Sequence, residues 1–199
     1  MKTNFFLWLT LFICISNASS GQIRDLKTNK FKIGIKVLAD KSNDSKFTPY
    51  SVNVYSAGIP VIYHFTNSKS AIESGMYLMT KGIGINENEH LTMNFLSVPV
   101  NYRYDFNIFY SAAGMFLDYL IATKNYNTET FDTGEQELRN FYTGFNISAG
   151  LQTHFIKQYY VFIEARAACN IGTTFTPDRS NDSYGILTYG IAVGVNYQL

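Results

Sequence analysis

The chain has 199 residues, of which 46% are hydrophobic, 16% aromatic and 16% charged, and its formal net charge is +1. This near-neutral balance gives no basic surplus for nucleic-acid binding, so we expect no nucleic-acid partner. The chain contains two cysteines, Cys14 and Cys169. Because Cys14 lies in the N-terminal segment described next, no intramolecular disulfide is expected in the mature chain.

The first 21 residues have the layout of a secretory signal peptide. Lys2 precedes an apolar run from Phe5 to Ile15, and small polar residues follow that run. Cleavage after Ala18 and cleavage after Gly21 both fit. The run is shorter than the roughly 20 apolar residues of a membrane-spanning helix. We therefore expect the segment to be removed, which leaves residues 22–199 as one domain with equal numbers of basic and acidic residues.

From Phe31 onward, apolar residues recur at every second position, which is the pattern of β-strands with one apolar face. In the clearest segment, five apolar residues from Leu96 to Tyr104 alternate with Ser97, Pro99 and other polar-face residues. A proline inside a strand removes a backbone donor, so we expect a bulge or a local bend at Pro99. The segments with this alternation are 30–39, 50–65, 71–83, 92–106, 107–120, 141–155, 160–171 and 184–199.

Long and short connections alternate between these eight segments. An even-stranded membrane barrel shows this order, because its periplasmic turns are short and its extracellular loops are long. Segments of about ten residues or more are long enough to cross a bilayer at a tilt. The sequence therefore predicts an all-β, closed antiparallel up-and-down transmembrane β-barrel of about eight strands over residues 22–199. The long loops are predicted at Asp40–Pro49, Gly84–Leu91, Ala122–Asn140 and Gly172–Ser183, and the short turns at Thr66–Ser70, Asp105–Phe106 and Ile156–Lys157.

The polar face of the predicted strands carries charges of both signs. An eight-stranded barrel is narrow enough for side chains to fill its interior, so these charges can pair with each other. Glu164 and Arg166 lie two residues apart on one face, and we expect them to join Asp118 and Arg103 in a structural charge network across the interior. A narrow polar path or a ligand contact is the alternative. The charged residues on this face are Lys32, Lys36, Glu73, Lys81, Arg103, Asp118, Glu164 and Arg166.

No catalytic, cofactor-binding or metal-binding residues are predicted. His64 and His154 fall on the polar face near the periplasmic strand ends, and His90 falls in a loop. A barrel enzyme that acts on lipid A would need a histidine beside a nucleophile at the outer rim, and no such pair stands out. No two His, Cys or carboxylate residues stand at metal-ligand spacing with a third nearby. The longest loop, from Lys124 to Asn140, is polar and acidic, and loops on a rigid scaffold are where binding usually occurs.

Three segments resemble the PorT-like group of outer-membrane β-barrel proteins: NFLSVPVNYRYDF, IFYSAAGMFLDYL and FYTGFNISAGLQ. The resemblance extends from about Lys30 to Leu199 and implies an outer-membrane barrel whose relatives mostly have no established activity. The last segment also looks like a signal for the barrel-assembly machinery, although Leu199 replaces the usual terminal aromatic residue. Its alternating residues are Tyr189, Ile191, Val193, Val195 and Tyr197.

We therefore expect a bacterial outer-membrane protein that is not an enzyme and contacts outer-membrane lipid. It would be structural, or it would bind a partner or ligand through its extracellular loops. Two alternatives stay open: an outer-membrane enzyme that modifies lipid, and a PorT-like component of a secretion apparatus. Fold alone does not decide between them.

Overall fold

A computed structural model of the chain describes residues 30–44, 50–66, 68–84, 90–126, 140–171 and 185–199. The predicted signal peptide and the predicted loop at Gly172–Ser183 lie outside these ranges. No helix in the described ranges is long and apolar enough to be a candidate membrane span.

Eight antiparallel strands follow one another around a closed barrel, which confirms the predicted fold class. Each strand pairs with its neighbours in sequence, and the first pairs with the last in a register that runs from Lys32 opposite Gln198 to Asp44 opposite Ile186. The sheet therefore has no free edge. The strands are β1 (Phe31–Asp44), β2 (Val52–His64), β3 (Ser70–Gly84), β4 (His90–Phe106), β5 (Phe109–Tyr126), β6 (Phe141–Ile156), β7 (Tyr159–Ile171) and β8 (Ile186–Gln198).

The apolar face of each strand points outward and the polar face points inward. Ile35 and Leu78 are 66% and 64% exposed, whereas their sequence neighbours Lys36 and Tyr77 are 6% and 4% exposed. A water-soluble barrel would bury the apolar face instead, so this outer surface is suited to lipid. Further exposed apolar residues include Ile33, Val37, Ile59, Met76, Val100, Met115, Leu117, Phe145, Ile147, Ile163, Ile191 and Val193.

Several strands extend further than the alternation predicts, so the predicted loop bounds are wrong at these places. β1 continues through Asp44, and β5 continues through Tyr126. His90, predicted in a loop, is the first residue of β4 and pairs with Gly84 of β3. Backbone pairing needs no particular side chain, so it continues past the point where the apolar alternation ends.

The short turns are also displaced by one or two residues. Asp105 and Phe106, predicted as a turn, belong to β4, and the chain reverses at Asn107 and Ile108. Asn107 has a positive φ of 59°, a left-handed conformation that asparagine adopts more easily than most residues. The predicted turns at Thr66–Ser70 and Ile156–Lys157 overlap the observed ones, although Ser70 and Ile156 are strand residues.

Pro99 does not cause the bulge predicted for it. The pairing of β4 with β3 keeps one register on both sides of Pro99, from Ser74 opposite Val100 to Tyr77 opposite Ser97. The register shift between β4 and β5 lies instead between Asn94 and Phe95, towards the long-connection end. That position carries no proline, and nothing in the apolar pattern distinguishes it.

Two neighbouring residues of β3, Gly75 and Ser74, lie beside this part of β4. Gly75 has a φ of 153°, which L side chains rarely adopt, and a Cβ there would meet backbone atoms of β2. The hydroxyl of Ser74 donates a hydrogen bond to the carbonyl oxygen of Pro99 at 2.7 Å. A side chain thus satisfies a backbone acceptor at the point where the proline interrupts the ladder.

We expect Ser74→Ala to lower the free energy of unfolding by about 1–3 kcal/mol, because the Pro99 carbonyl would lose its donor where water is scarce. The measurement is equilibrium unfolding by urea in lipid vesicles. Ser111→Ala is the matched control, since Ser111 is exposed on β5 and shows no hydrogen bond within the described ranges. Equal effects of the two substitutions would contradict the assigned role of Ser74.

Candidate functional site

The lumen, the space enclosed by the eight strands, holds the charged residues and is the candidate functional site. The four residues singled out from the sequence face it: Arg103 from β4, Asp118 from β5, and Glu164 and Arg166 from β7. The first three are at most 2% exposed, and Arg166 is partly exposed. Within the described ranges, no ion pair joins any two of the four directly.

Arg103 is the centre of a cluster near the short turns. Its Nε donates to Asp105 Oδ1 at 3.0 Å, its Nη1 to Glu73 Oε2 at 3.0 Å, and its Nη2 to Gln152 Oε1 at 2.7 Å. The guanidinium also lies 3.6 Å from the centre of the Tyr110 ring. Hydrogen bonds hold the N–H groups of the planar guanidinium, and the Tyr110 ring packs on its face. The guanidinium is therefore held in one orientation.

Asp105 connects this cluster to the barrel end at the short turns. Its Oδ2 lies 2.7 Å from Nε2 of His64, and its Oδ1 accepts a hydrogen bond from Gln152 at 3.0 Å. Asp105 was missed as a site residue because it was assigned to a turn. Its position two residues after Arg103 is the signal that could have found it, since residues i and i+2 of a strand share a face.

Lys36 of β1 connects the Arg103 cluster to Glu164. Its Nζ lies 3.3 Å from Glu73 Oε1 and 2.7 Å from Glu164 Oε1. The hydroxyl of Tyr110 donates to Glu164 Oε2 at 2.9 Å. Arg103 and Glu164 therefore belong to one network, although they do not touch. Every buried charge in this network has an opposite charge within contact distance, which offsets the cost of removing it from water.

Lys81 and Asp118 form a second ion pair in the lumen. Lys81 Nζ lies 2.6 Å from Asp118 Oδ2 and donates to Asn170 Oδ1 at 2.7 Å. The ammonium also lies 4.2 Å from the centre of the Phe116 ring. The side chains of Lys81 and Asp118 are 2% and 0% exposed. In the described part of the chain, no hydrogen bond links this pair to the Arg103 network.

Three charged residues on the inward face show no ion pair within the described ranges. Lys32 is one of them, and its Nζ lies 3.9 Å from the centre of the Tyr160 ring. Both carboxylate oxygens of Asp40 are buried without a hydrogen bond. Arg166 shows no hydrogen bond or ion pair there, and it lines a cavity of about 30 Å³ with Ser97, Asn146 and Ser148. A cavity of that size has room for about two water molecules. Arg166 is thus the predicted network residue that the structure leaves outside the ion pairs.

An apolar cluster lies in the interior towards the long connections, beside Lys81, which is paired with Met93 across β3 and β4. Phe95 and Tyr142 pack edge to face there, with ring centres 5.2 Å apart. This cluster was not predicted from the sequence, although Leu91, Met93 and Phe95 alternate on the face that also bears Arg103. Its buried members are Leu38, Tyr77, Met79, Leu91, Met93, Phe95, Tyr142, Ile186 and Ala192.

The histidines do not form an obvious catalytic arrangement in the described part of the chain. His64 contacts the carboxylate of Asp105, and His154 packs against the ring of Tyr160 with centres 4.0 Å apart. Neither shows a serine hydroxyl as a hydrogen-bond partner there. Within the same ranges, no group of three His, Cys, Asp or Glu residues could hold a metal ion.

Comparisons with known proteins give a fold and no family. No protein-family model matches the chain, and no curated protein sequence matches it. The resemblance to the PorT-like group is therefore not confirmed.

Solved structures of small outer-membrane barrels are similar to this chain in fold. The attachment invasion locus protein Ail of Yersinia pestis has a TM-score of 0.51 and 14% sequence identity, covering 86% of this chain and 99% of Ail. The outer membrane protein OprG from Pseudomonas aeruginosa has a TM-score of 0.50 and 12% identity, covering 87% of this chain and 97% of OprG. At these identities the likeness concerns the fold alone. The chain has the closed eight-stranded fold seen in these outer-membrane proteins.

Proposed function

We propose that this protein is a non-enzymatic barrel of the bacterial outer membrane, which acts as a rigid support and binds a partner or ligand through its long extracellular loops. The observation that carries the proposal is the filled lumen. Ion-paired side chains occupy its turn end, and an apolar cluster beside the Lys81–Asp118 ion pair occupies the part towards the long connections. A barrel without a wide inner path offers its outer surface and its loops for interaction.

The charge network has a structural role in this proposal. The side chains of Arg103, Asp118 and Glu164 connect strands through the lumen, including strands that do not pair directly, as the ion pair between Lys81 of β3 and Asp118 of β5 illustrates. Arg166 contributes positive charge beside the cavity. A transport path would need mobile water along the whole lumen, and the apolar cluster at the long-connection end opposes that.

The outer surface supports a location in the bacterial outer membrane. Its exposed residues are apolar around the barrel, which suits the hydrocarbon region of a bilayer. A signal peptide in the first 21 residues would direct the chain out of the cytoplasm. The strand that the barrel-assembly machinery recognises would be β8, whose outward face carries Tyr189, Val193 and Tyr197.

Two alternative functions have less support. A lipid-modifying enzyme would need a nucleophile beside a base, and His64 instead contacts a carboxylate. A PorT-like component of a secretion apparatus rests only on the three similar segments. Chemical crosslinking in intact cells would favour that alternative if it joined the barrel reproducibly to other envelope proteins.

We expect the protein to fractionate with the outer membrane and to be heat-modifiable, because a closed barrel with buried ion pairs resists detergent until it is boiled. The measurement compares the mobility of boiled and unboiled samples on a denaturing gel. A soluble protein whose mobility does not change on boiling would contradict the proposed function.

We expect Lys81→Met to lower the free energy of unfolding by about 3–5 kcal/mol, because it leaves the Asp118 carboxylate buried without a cation. The double variant Lys81→Met with Asp118→Leu removes both charges, and its stability should return to within roughly 1 kcal/mol of the parent. The measurement is unfolding by guanidinium chloride in detergent micelles.

The parent, the Lys81→Met variant and the double variant also test whether the lumen is filled, through their ion conductance in planar bilayers. Neither the parent nor the double variant should produce conductance steps, because apolar replacements keep the interior filled. Steady conductance steps in the parent would contradict a structural role and would favour a polar path through the lumen.

A further inference from the structure

The end of the barrel at the short turns carries three exposed lysines. Lys30 precedes β1, Lys69 precedes β3, and Lys157 lies between β6 and β7. We call the surface formed by these lysines and the aromatic residues beside them the turn rim. The three lysines come from separate places in the sequence, and the closed barrel brings all of them to one end.

Each of these lysines is near a residue of an aromatic pair, either along the chain or across the backbone pairing. Lys30 is next to Phe31, whose ring packs on Tyr63 with centres 4.8 Å apart. Lys157 is two residues before Tyr159, whose ring packs on Tyr197 with centres 5.1 Å apart.

Lys69 repeats the same arrangement. Its carbonyl oxygen accepts a hydrogen bond from the backbone N–H of Asp105 at 2.8 Å. Asp105 stands between Tyr104 and Phe106, whose ring centres are 4.5 Å apart. The combination of one exposed lysine and a nearby aromatic pair therefore occurs three times around the turn rim.

The charge of the turn rim is positive in the described part of the chain. Asp105 is the one acidic side chain that the structure describes there, and it is engaged by Arg103 at 3.0 Å and by His64 at 2.7 Å. The three lysines have no ion pair within the described ranges. Their ammonium groups are therefore available to an external anion.

We propose that the turn rim binds the phosphate groups of anionic phospholipids in the inner leaflet of the membrane. Aromatic rings lie at the level of lipid headgroups, and long lysine side chains reach from there to the charged layer. Short turns face the periplasm in barrels of this kind, so the matching headgroups are those of the periplasmic leaflet. This inference rests on the proposed function, because it requires the barrel to lie in a bilayer.

A single-tryptophan reporter can measure this binding, because the chain contains one tryptophan, Trp8, in the predicted signal peptide. The full chain would be produced in bacteria with Trp8→Phe and Tyr159→Trp, which places the reporter near Lys157. The barrel would be placed in phosphatidylcholine vesicles that contain equal fractions of either brominated phosphatidylglycerol or brominated phosphatidylcholine. Quenching by the two lipids gives their relative association constant at the turn rim.

We expect phosphatidylglycerol to associate about fivefold more strongly than phosphatidylcholine at this reporter, which is the gain expected from one lysine near an anionic surface. Replacing Lys30, Lys69 and Lys157 by glutamine should reduce the ratio to about one. The matched control replaces Lys41 and Lys124, exposed lysines towards the long connections, and should leave the ratio unchanged.

Three outcomes would overturn the inference. The first is a ratio near one in the parent, and the second is a ratio that survives the triple substitution. The third is loss of the preference on adding inorganic phosphate but not on adding chloride at equal ionic strength, which would show that free phosphate occupies the site in place of lipid. Absence of quenching by either brominated lipid would instead show that the barrel lies outside the bilayer, and the proposed function would fail with it.

Discussion

The closure of β1 against β8 is the constraint on which the rest of the structure depends. Inside a bilayer no water can bond a free N–H or carbonyl group, so an open sheet would leave two rows of backbone groups unsatisfied. Thirteen residue pairs, from Lys32 opposite Gln198 to Asp44 opposite Ile186, remove those rows. The same requirement explains the Ser74 hydroxyl at Pro99, where a side-chain donor satisfies the proline carbonyl.

Closure with eight strands also determines what the interior can contain. The enclosed space is narrow, so inward side chains from distant strands must meet, and charged ones must meet opposite charges. Lys36 of β1 reaches Glu164 of β7, and Lys81 of β3 reaches both Asp118 of β5 and Asn170 of β7 on the opposite side. The strands are thus connected across the barrel as well as around it, which favours a rigid scaffold over a channel.

The sequence predicts the strand number and the facing of side chains well, because both depend on a period of two that lipid imposes on every strand. It predicts strand ends poorly, as His90 and Tyr126 illustrate, because backbone pairing continues beyond the apolar pattern. It also misassigns partners. Arg103 meets Glu73, Asp105 and Gln152, and these pairings depend on the stagger between strands, which alternation alone does not give.

The length of the β4–β5 hairpin has a consequence for how the protein meets its surroundings. β5 has 18 residues and β2 has 13. At roughly 3.3 Å per residue, the difference of five residues adds about 16 Å along the strand. Among the described residues, the β4–β5 side therefore extends further at the end with the long connections, which faces outside the cell under the proposed function. A large molecule approaching from outside would touch this raised side first, and contact with the lower side would require it to tilt or to be small.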